Sequence, residues 1–294
     1  MPTTSRAKRR PFRKTIQKAK EPKVCLKRKN IAAAKALRLI ITTSTTNTII
    51  TEAITLTAMT SNSIGADIHT HVLPGIDDGA ENTDVSLRLI ADEKEMGVTD
   101  LVLTPHFNMS DISLEDFLSR REEAFSALSE SLKETETLAD MRFHLGAEVR
   151  YDPNLIKLDL EKLCIENTSY LLLETTGSFP FNFENTLSFM LSRGITPILA
   201  HIERYEYLRK DIPFLKRLID SGVLLQCNAS SVFGKSRSST VIKLIKRGYI
   251  DLLASDCHSP AYRPPNLSKA YKKLKKESER LIKNSLKVVN DKLI

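Results

Sequence analysis

The 294-residue sequence lacks paired cysteines, and this absence argues against a small secreted domain held together by disulfides. Its four cysteines form no C-x-x-C pair and follow no regular spacing; they are Cys25, Cys164, Cys227 and Cys257. Small secreted domains with disulfide frameworks normally show such spacing, whereas cytosolic proteins keep their thiols reduced. The cysteine pattern therefore predicts a cytoplasmic protein with reduced thiols.

The sequence also lacks a long uninterrupted apolar run, even in the Ala-, Ile- and Thr-rich stretch 31–60. Lys35, Arg38 and Glu52 interrupt this stretch. A membrane-spanning helix needs roughly 18 or more consecutive apolar residues. We therefore predict no membrane span.

Acidic residues are nearly missing from residues 1–64, which hold 14 Lys and Arg but only 2 Asp and Glu. The remainder holds 30 basic and 34 acidic residues, so the net charge of +8 combines a mildly acidic body with a basic N-terminal segment. Three interpretations of this segment stay open: a disordered basic tail, a start codon placed before a true start at Met59, or a targeting sequence. Basic tails without interleaved aromatic residues are generally solvated, which argues against binding to nucleic acid.

From residue 66 onward, short apolar runs alternate with longer amphipathic stretches. Strands that alternate with helices predict βαβ units and a parallel sheet, and seven repeats favour an α/β barrel over an open sheet. The predicted strands are Asp67–His71, Asp100–Pro105, Arg142–Val149, Tyr170–Glu174, Thr196–His201, Val223–Cys227 and Asp251–Ser255. The predicted helices cover 83–97, 113–138, 183–194, 212–222, 236–248 and 267–288. We therefore predict a basic, low-structure extension over 1–64 and an α/β barrel domain over 65–294.

Histidine and carboxylate side chains stand at the ends of these predicted strands. They are His69, His71, His106, Glu148, Glu174, His201, Asp256 and His258. The carboxyl ends of the strands of a parallel barrel open onto one face, so these residues should converge. His69 and His71 lie two positions apart on a strand, which places both imidazoles on the same side. Asp256 and His258 repeat that spacing.

Several histidines combined with several carboxylates suit Zn²⁺, Mn²⁺ or Fe²⁺, and eight candidates are too many for one ion. The set therefore predicts a site for two or three metals. A single His after a strand is more often a packed or hydrogen-bonded residue than a ligand. Chance does not readily place five of six histidines at strand ends, however, and the sixth, His144, is predicted to be structural.

Five short motifs resemble the polymerase-and-histidinol-phosphatase (PHP) superfamily. They are His69-Thr-His71, Thr104-Pro105-His106, Gly146-Ala147-Glu148, Ala200-His201 and Ser255-Asp256-Cys257-His258. The segments Asp67-Ile-His-Thr-His-Val-Leu-Pro-Gly-Ile-Asp-Asp-Gly79 and His201-Ile-Glu-Arg-Tyr205 are similar, more narrowly, to the bacterial capsular-polysaccharide tyrosine phosphatases. The resemblance covers about residues 66 to 275.

The resemblance implies a distorted seven-stranded barrel of the PHP type with a trinuclear centre that is usually supported by manganese. It adds Asp78 to the metal ligands and makes Arg204 and Arg263 phosphate-binding residues. It leaves His258 as a metal ligand or as the proton donor to the leaving oxygen, and we favour the metal. The implied ligands are His69, His71, Asp78, His106, Glu148, Glu174, His201, Asp256 and His258.

The sequence departs from the pattern of this family at several positions. Ile202 replaces a Pro, Cys257 an Ala and Ser259 an Asn, while Phe107 stands where many members have a second His. The stretch Leu-Glu-Thr-Thr-Gly177 replaces a more apolar one. None of these changes removes a ligand, so they bear on the substrate pocket rather than on the metal site.

The implied function is a metal-dependent protein-tyrosine phosphatase that acts on a tyrosine kinase of capsular or exopolysaccharide biosynthesis. A small-molecule phosphomonoesterase, for example one cleaving histidinol phosphate, is one alternative. A non-catalytic metal-bound scaffold with a nucleic-acid-binding arm is another. The Pro-Gly-Ile-Asp-Asp-Gly loop and the Glu-Arg-Tyr motif favour the first, and the intact ligand set argues against the scaffold. The oligomeric state stays open.

Cys257 and Arg263 also match C-x5-R, the skeleton of cysteine-dependent tyrosine phosphatases. The backbone of such a loop must converge on phosphate, which requires glycines. This segment has no glycine, and Pro260 removes a donor. We therefore predict that Cys257 is a small buried residue and that a metal-bound hydroxide is the nucleophile.

Overall fold

The computed structural model describes residues 63–234 and 238–291. The interpretations of residues 1–62, and the first residues of the helix predicted at 236–248, lie outside the described residues. Within those ranges, no helix combines the length and the apolar character that crossing a bilayer requires. The α-helices are α1 Thr83–Glu95, α2 Leu114–Lys133, α3 Phe183–Ser192, α4 Glu206–Lys210, α5 Ile212–Asp220, α6 Ser238–Lys246, α7 Leu267–Leu274 and α8 Lys276–Asn290. Five short 3-10 turns cover Glu136–Leu138, Pro153–Lys157, Leu160–Leu163, Ile202–Arg204 and Ala229–Val232.

All the strand pairs of the described residues are parallel, and they form two sheets. One sheet has the order β1-β2-β4 and the other the order β3-β5-β6-β7-β8-β9. The strands are β1 Gly65–Thr70, β2 Val98–Leu103, β3 His106–Phe107, β4 Arg142–Leu145, β5 Glu148–Arg150, β6 Tyr170–Glu174, β7 Thr196–Leu199, β8 Leu224–Asn228 and β9 Leu252–Ala254. The α/β class and the parallel sheet are therefore confirmed.

Backbone hydrogen bonds connect the two sheets at both junctions. Gly146 N–H, at the break between β4 and β5, donates to Leu103 O at 2.9 Å, and Glu148 N–H of β5 donates to Pro105 O, just after β2, at 3.0 Å. On the other side, His71 N–H donates to Cys257 O at 2.9 Å, so the chain after β1 pairs with the chain after β9. The curved sheets therefore bring the carboxyl ends of the first and last strands side by side.

The described residues contain nine strands where the sequence predicted seven. The predicted strand Arg142–Val149 is divided into β4 and β5 at Gly146-Ala147, and the chain after β2 resumes as β3. Pro105 lies at that second break, and it has no N–H to donate to a neighbouring strand. The prediction of seven unbroken strands missed both interruptions.

Two helix predictions also require correction. The helix predicted over 267–288 is divided into α7 and α8 at Lys275, whose φ of +53° is incompatible with a continuous right-handed helix. The helix α4 was not predicted. By contrast, α1 begins after Asn82, whose side chain accepts a hydrogen bond from Val85 N–H, and ends just before Gly97, which has a φ of +95°.

Most of the strands are buried on both faces, as parallel sheets covered by helices generally are, whereas β4 at the edge of its sheet is partly exposed. Alternate residues of β6 illustrate this, because side chains of a strand point to opposite faces. Leu172 packs in a cluster with Ile198 and Leu252 from other strands, whereas Leu171 and Leu173 belong to the larger core that includes the helices. This two-sided burial fixes the strands and therefore fixes the positions of the side chains at their ends.

Candidate metal centre

The structure brings all nine predicted ligand residues together at the carboxyl ends of the strands. They form four overlapping groups, and within each group the donor atoms lie within 4.8 Å of one another. The groups are His71, Asp78, His106 and His258; His69, His201 and Asp256; His69, His71 and Glu148; and His106, Glu148 and Glu174. Each of the nine residues belongs to at least one group, and four belong to two.

Glu148, the first residue of β5, lies at the centre of this arrangement. Its Oε2 atom is 3.4 Å from the Nε2 atoms of both His69 and His71 and 2.9 Å from His106 Nδ1. Its Oε1 atom is 2.7 Å from His201 Nε2. One buried carboxylate therefore contacts imidazoles that come from four different positions in the chain.

Two buried donor atoms have the character expected at a metal centre. Glu148 Oε2 lies among three imidazole nitrogens but has no hydrogen bond of acceptable geometry, and buried His258 Nε2 has none either. Buried polar atoms are normally hydrogen-bonded, and an atom without such a bond requires an explanation. Carboxylate and imidazole donors are the ligands that Zn²⁺, Mn²⁺ and Fe²⁺ accept in proteins. The residues present therefore fit a site for divalent metal ions.

The rim of the cluster is more accessible than its interior. His106 and Asp78 have side chains that are 39% and 69% exposed, and His106 Nε2 lies 3.2 Å from Asp78 Oδ1. His258 Nε2 is 3.4 Å from the same Asp78 oxygen. Glu174 is partly exposed and lies 3.7 Å from His201 Nε2. Solvent therefore reaches the cluster from the side of Asp78 and His106.

Opposite charges are held close together in the buried part. Burial lowers the pKa of His69, but the carboxylates of Glu148 and Asp256 outweigh it and raise that pKa to about 8. Burial likewise lowers the pKa of His71, whereas its hydrogen bond to Asp77 and the nearby negative charge of Glu148 raise it to about 9. The same histidines hold the pKa values of Glu148 and Asp256 well below the usual range, although burial alone would raise them. The carboxylates are therefore ionised and available to cations.

The two predicted phosphate-binding arginines meet at one carboxylate. Arg204 Nη2 and Arg263 Nη2 each lie 2.5 Å from Asp256 Oδ2. Both side chains are more than one-third exposed, so each guanidinium keeps further N–H donors directed to solvent. The structure therefore places both arginines beside the metal-type cluster and anchors them to one of its members.

The sequence reasoning missed Asp77, which orients two members of the cluster. Its Oδ2 atom accepts hydrogen bonds from His71 Nδ1 at 2.7 Å and from His106 N–H at 3.1 Å. Its Oδ1 atom accepts a bond from Gly79 N–H at 2.9 Å. A carboxylate behind a ligating histidine fixes the ring orientation and raises its basicity. The two adjacent aspartates of the Asp-Asp-Gly sequence were the available signal.

The end of β8 supplies two more residues that the sequence reasoning missed. Gln226 Oε1 accepts a hydrogen bond from His201 N–H at 2.7 Å. Asn228 Nδ2 donates to Asp256 Oδ2 at 2.5 Å. Both residues are neutral amides, so they were not recognised among the metal-type side chains. Their spacing of two residues, the same as that of His69 and His71, was the available signal. Tyr205, from the Glu-Arg-Tyr motif, also lies at the site, with its hydroxyl 3.3 Å from His201 Nδ1.

The backbone of the site includes unusual conformations. His201 and Asp256 have φ values of +32° and +54°, in a region that costs non-glycine residues about 1–3 kcal/mol. Their peptide N–H groups are held by Gln226 Oε1 and by His69 O. Gly79 approaches His71 so closely that any Cβ atom would collide with the His71 carbonyl oxygen. The surrounding fold therefore fixes the strained positions at which two predicted ligands lie.

His144 and Cys257 were predicted to lie outside the set of metal ligands, and neither belongs to the four donor groups. His144 Nε2 is 3.0 Å from Asp100 Oδ1 and takes no part in the four donor groups. Cys257 is fully buried, and burial together with the nearby carboxyls of Glu93 and Asp67 raises the pKa of its thiol well above the usual value. A thiolate nucleophile is therefore disfavoured at Cys257.

A cluster of imidazoles and carboxylates, flanked by arginines at the carboxyl edge of a parallel α/β sheet, is the kind of site found in metal-dependent hydrolases. The family model described as "Capsular polysaccharide synthesis, CpsB/CapC" matches residues 65–294. The chain belongs to this CpsB/CapC family, which confirms the resemblance found in the sequence.

Curated relatives of this chain carry phosphatase names. It is 32% identical to the tyrosine-protein phosphatase CpsB of Streptococcus pneumoniae over 251 residues, which cover 78% of this chain and 99% of that protein. It is 31% identical to the putative tyrosine-protein phosphatase CapC of Staphylococcus aureus, over 78% of this chain and 92% of that one. Among solved structures, the chain is similar to one from a study of YwqE from Bacillus subtilis and CpsB from S. pneumoniae, which are described there as "unique metal-dependent tyrosine phosphatases". That match has a TM-score of 0.69 and 24% identity, and it covers 78% of this chain and 96% of the other.

Proposed function

We propose that this protein is a metal-dependent protein-tyrosine phosphatase. Its substrate would be phosphotyrosine on a tyrosine kinase of capsular or exopolysaccharide biosynthesis. The observation that carries the proposal is the convergence of nine histidine and carboxylate side chains with two arginines at one edge of the sheet. Membership of the CpsB/CapC family and the names of its relatives support the choice of tyrosine and of the capsule pathway.

The four donor groups correspond to a centre of two or three ions, and we propose Mn²⁺ as the metal, with Zn²⁺ and Fe²⁺ as alternatives. The proposed ligands are His69, His71, Asp78, His106, Glu148, Glu174, His201, Asp256 and His258. When bound, such ions supply an acidified water as the nucleophile and positive charge for the phosphoryl oxygens. We assign His258 to the metal, because its Nε2 atom faces the oxygen of Asp78 rather than open solvent.

The protein's own residues would bind and orient the phosphoryl group. Arg204 donates one N–H to Asp256 and Arg263 forms an ion pair with the same carboxylate, and the remaining donors of each planar guanidinium can hold two phosphoryl oxygens. Asp256 thereby keeps both guanidinium groups beside the metal ligands. The phosphoryl group would be held between the two arginines and the donor cluster, where developing negative charge is offset.

Selection of tyrosine would follow from the depth of the site. Of the proposed ligands, six are at most 3% exposed, so the interior of the cluster lies below the surface; they are His69, His71, Glu148, His201, Asp256 and His258. The long phosphotyrosine side chain reaches such a site more readily than phosphoserine does. We expect phosphotyrosyl peptides to be preferred over matched phosphoseryl peptides by about tenfold or more, roughly 1.4 kcal/mol of barrier.

The test is hydrolysis of matched phosphotyrosyl and phosphoseryl peptides by protein treated with EDTA and then with Mn²⁺. We expect EDTA to abolish activity, Mn²⁺ to restore it, and the phosphotyrosyl peptide to be preferred. Equal rates on both peptides, or a strong preference for histidinol phosphate, would instead assign the protein to small-molecule phosphatases. Retention of full activity without metal would contradict the proposed centre.

Two structural proposals accompany this function. We propose that the sheets form a distorted seven-stranded barrel, in which β2 with β3 and β4 with β5 each represent one interrupted strand.

We also propose that residues 65–294 form the catalytic domain and that the protein is cytoplasmic, in keeping with the buried free thiols of Cys164, Cys227 and Cys257. A chain that begins at Met59 should then melt and turn over substrate like the full chain. A fall in melting temperature of many degrees would contradict this domain boundary.

A further inference from the structure

The charges of the domain are distributed unevenly along the chain. Residues 65–266 hold 21 basic and 31 acidic residues, whereas residues 267–290, which contain α7 and α8, hold 8 basic and 2 acidic residues. A net charge of +6 is therefore concentrated on two helices of a body whose remaining charge is −10. Such a separation gives one part of the surface a positive potential that acts on charged partners.

The excess lies on an exposed surface that we call the lysine ridge, formed by Lys269, Lys272, Lys273, Lys275 and Lys276. All five side chains are exposed. On α7, the positions i, i+3 and i+4 place the first three on one face, and the opposite face buries Leu267, Ala270, Tyr271 and Leu274. In the described part of the chain, lysine ion pairs are made by Lys94, Lys133, Lys162 and Lys210, and by none of the ridge lysines.

The ridge lies close to the candidate metal centre. Lys273 Nζ donates to Val232 O at 2.8 Å. Val232 ends the 3-10 turn that directly follows Asn228, and Asn228 donates to Asp256 in the cluster. Along the chain, Lys269 is six residues beyond Arg263, a separation of at most about 20 Å. A single extended peptide can therefore reach the metal centre and the ridge together.

We propose that the lysine ridge is a docking surface for an acidic segment of the phosphotyrosine-bearing protein. This proposal rests on the proposed function. Charge complementarity identifies the occupant, because lysines without an ion-pair partner attract carboxylates and steer association. A membrane is the less favoured partner, since helices that bind lipid insert exposed apolar residues, and the apolar face of α7 is buried in the domain. The acidic residues should lie about six or more positions from the phosphotyrosine.

The test uses two phosphotyrosyl peptides that differ only in that distal block, with Asp and Glu in one and Asn and Gln in the other. We expect the acidic peptide to have a kcat/KM about tenfold higher at about 0.05 M salt, mainly through KM. The preference should shrink at about 0.5 M salt, where electrostatic screening lengths fall to a few ångströms. Peptides with the acidic block moved next to the phosphotyrosine should lose most of the gain.

Charge reversal at the ridge tests whether the preference for the acidic peptide depends on the ridge itself rather than on the net charge of the protein. The variant K269E/K272E/K276E should remove the preference for the acidic peptide and leave turnover of a small aryl phosphate unchanged. The control R88E/R120E/K133E alters the net charge equally at exposed positions on α1 and α2, and it should keep the preference. Equal loss in both variants, or no loss in the ridge variant, would overturn the proposal.

Two further measurements separate the alternatives. If the ridge variant detached from vesicles of anionic lipid yet kept its peptide preference, the ridge would be a membrane surface and the proposal would be wrong. If the wild-type protein hydrolysed no phosphotyrosyl peptide, the proposed function would fail independently of the ridge. Fluorescence anisotropy with the unphosphorylated acidic peptide would then still apply. Weaker binding by the ridge variant than by the control would support docking, and equal binding would refute it.

Discussion

The interior and the rim of the candidate metal centre differ in how the fold holds them. In the interior, Glu148, His201 and Asp256 are buried and fixed by neighbours such as Gln226, so their positions follow from packed strands. At the rim, Asp78 is largely exposed and belongs to the loop after β1. We therefore expect the interior residues to be required for any metal binding, whereas the rim residues affect how many ions are bound and how substrate enters.

The largest effect is expected when the interior loses its central carboxylate. Glu148→Ala removes a side chain that contacts four imidazoles. We expect turnover of phosphotyrosyl peptides to fall by more than about a thousandfold, which is roughly 4 kcal/mol of barrier. Metal content should fall with it. Elemental analysis and kinetics on the same preparation check this, and a folded Glu148→Ala protein with normal metal content and rate would refute the central role.

A smaller but still large effect is expected when a phosphate-binding residue is lost. Arg263→Ala removes one guanidinium that is anchored on Asp256. We expect kcat to fall by about 10²–10³, as for the loss of one preorganised donor at a charged transition state. Phosphotyrosyl and small aryl substrates should be affected alike, because the guanidinium acts on the phosphoryl group itself. Arg263→Lys keeps the charge but not the planar fork, and it should recover only part of the rate. An unchanged kcat in Arg263→Ala would show that Arg263 does not touch the substrate.

The rim should be more tolerant than the interior. Asp78→Asn keeps the size of a side chain that contacts His106 and His258, but it removes the charge. We expect the loss of about one ion per chain and a fall in turnover of about 10- to 100-fold, which is roughly 1.4–2.7 kcal/mol of barrier. Titration with Mn²⁺ should restore much of the activity. A loss equal to that of Glu148→Ala would remove the distinction between interior and rim.

The smallest effect on turnover is expected at Cys257, which is buried beside the site but outside the donor groups. Cys257→Ser should keep most of the activity, because the thiol is not the nucleophile. The variant should lose about 1 kcal/mol of stability, since the smaller serine side chain packs less well at this fully buried position. Thermal unfolding and kinetics on the same protein check both parts. An inactive variant that stays folded and metal-loaded would instead favour a cysteine mechanism.

The nine side chains predicted as ligands converge in the structure, because strand ends in a parallel α/β fold share one edge whatever their separation in the chain. The sequence predicted the strand boundaries less well. The break at Pro105 and the division of the last helix at Lys275 depend on hydrogen bonds and backbone angles that a hydrophobic pattern does not contain. It missed Gln226 and Asn228 for a different reason. Neutral amides become recognisable as part of a site only when the fold brings them to His201 and Asp256.

The central claim is that the nine convergent side chains form a multinuclear metal centre that supports phosphatase activity. The most direct test is the number of metal ions per chain, measured by elemental analysis on protein produced with added Mn²⁺ and compared with the rate on a phosphotyrosyl peptide. We predict two or three ions per chain, with activity that disappears and returns as the ions are removed and restored. Fewer than one ion per chain in fully active protein would contradict the account.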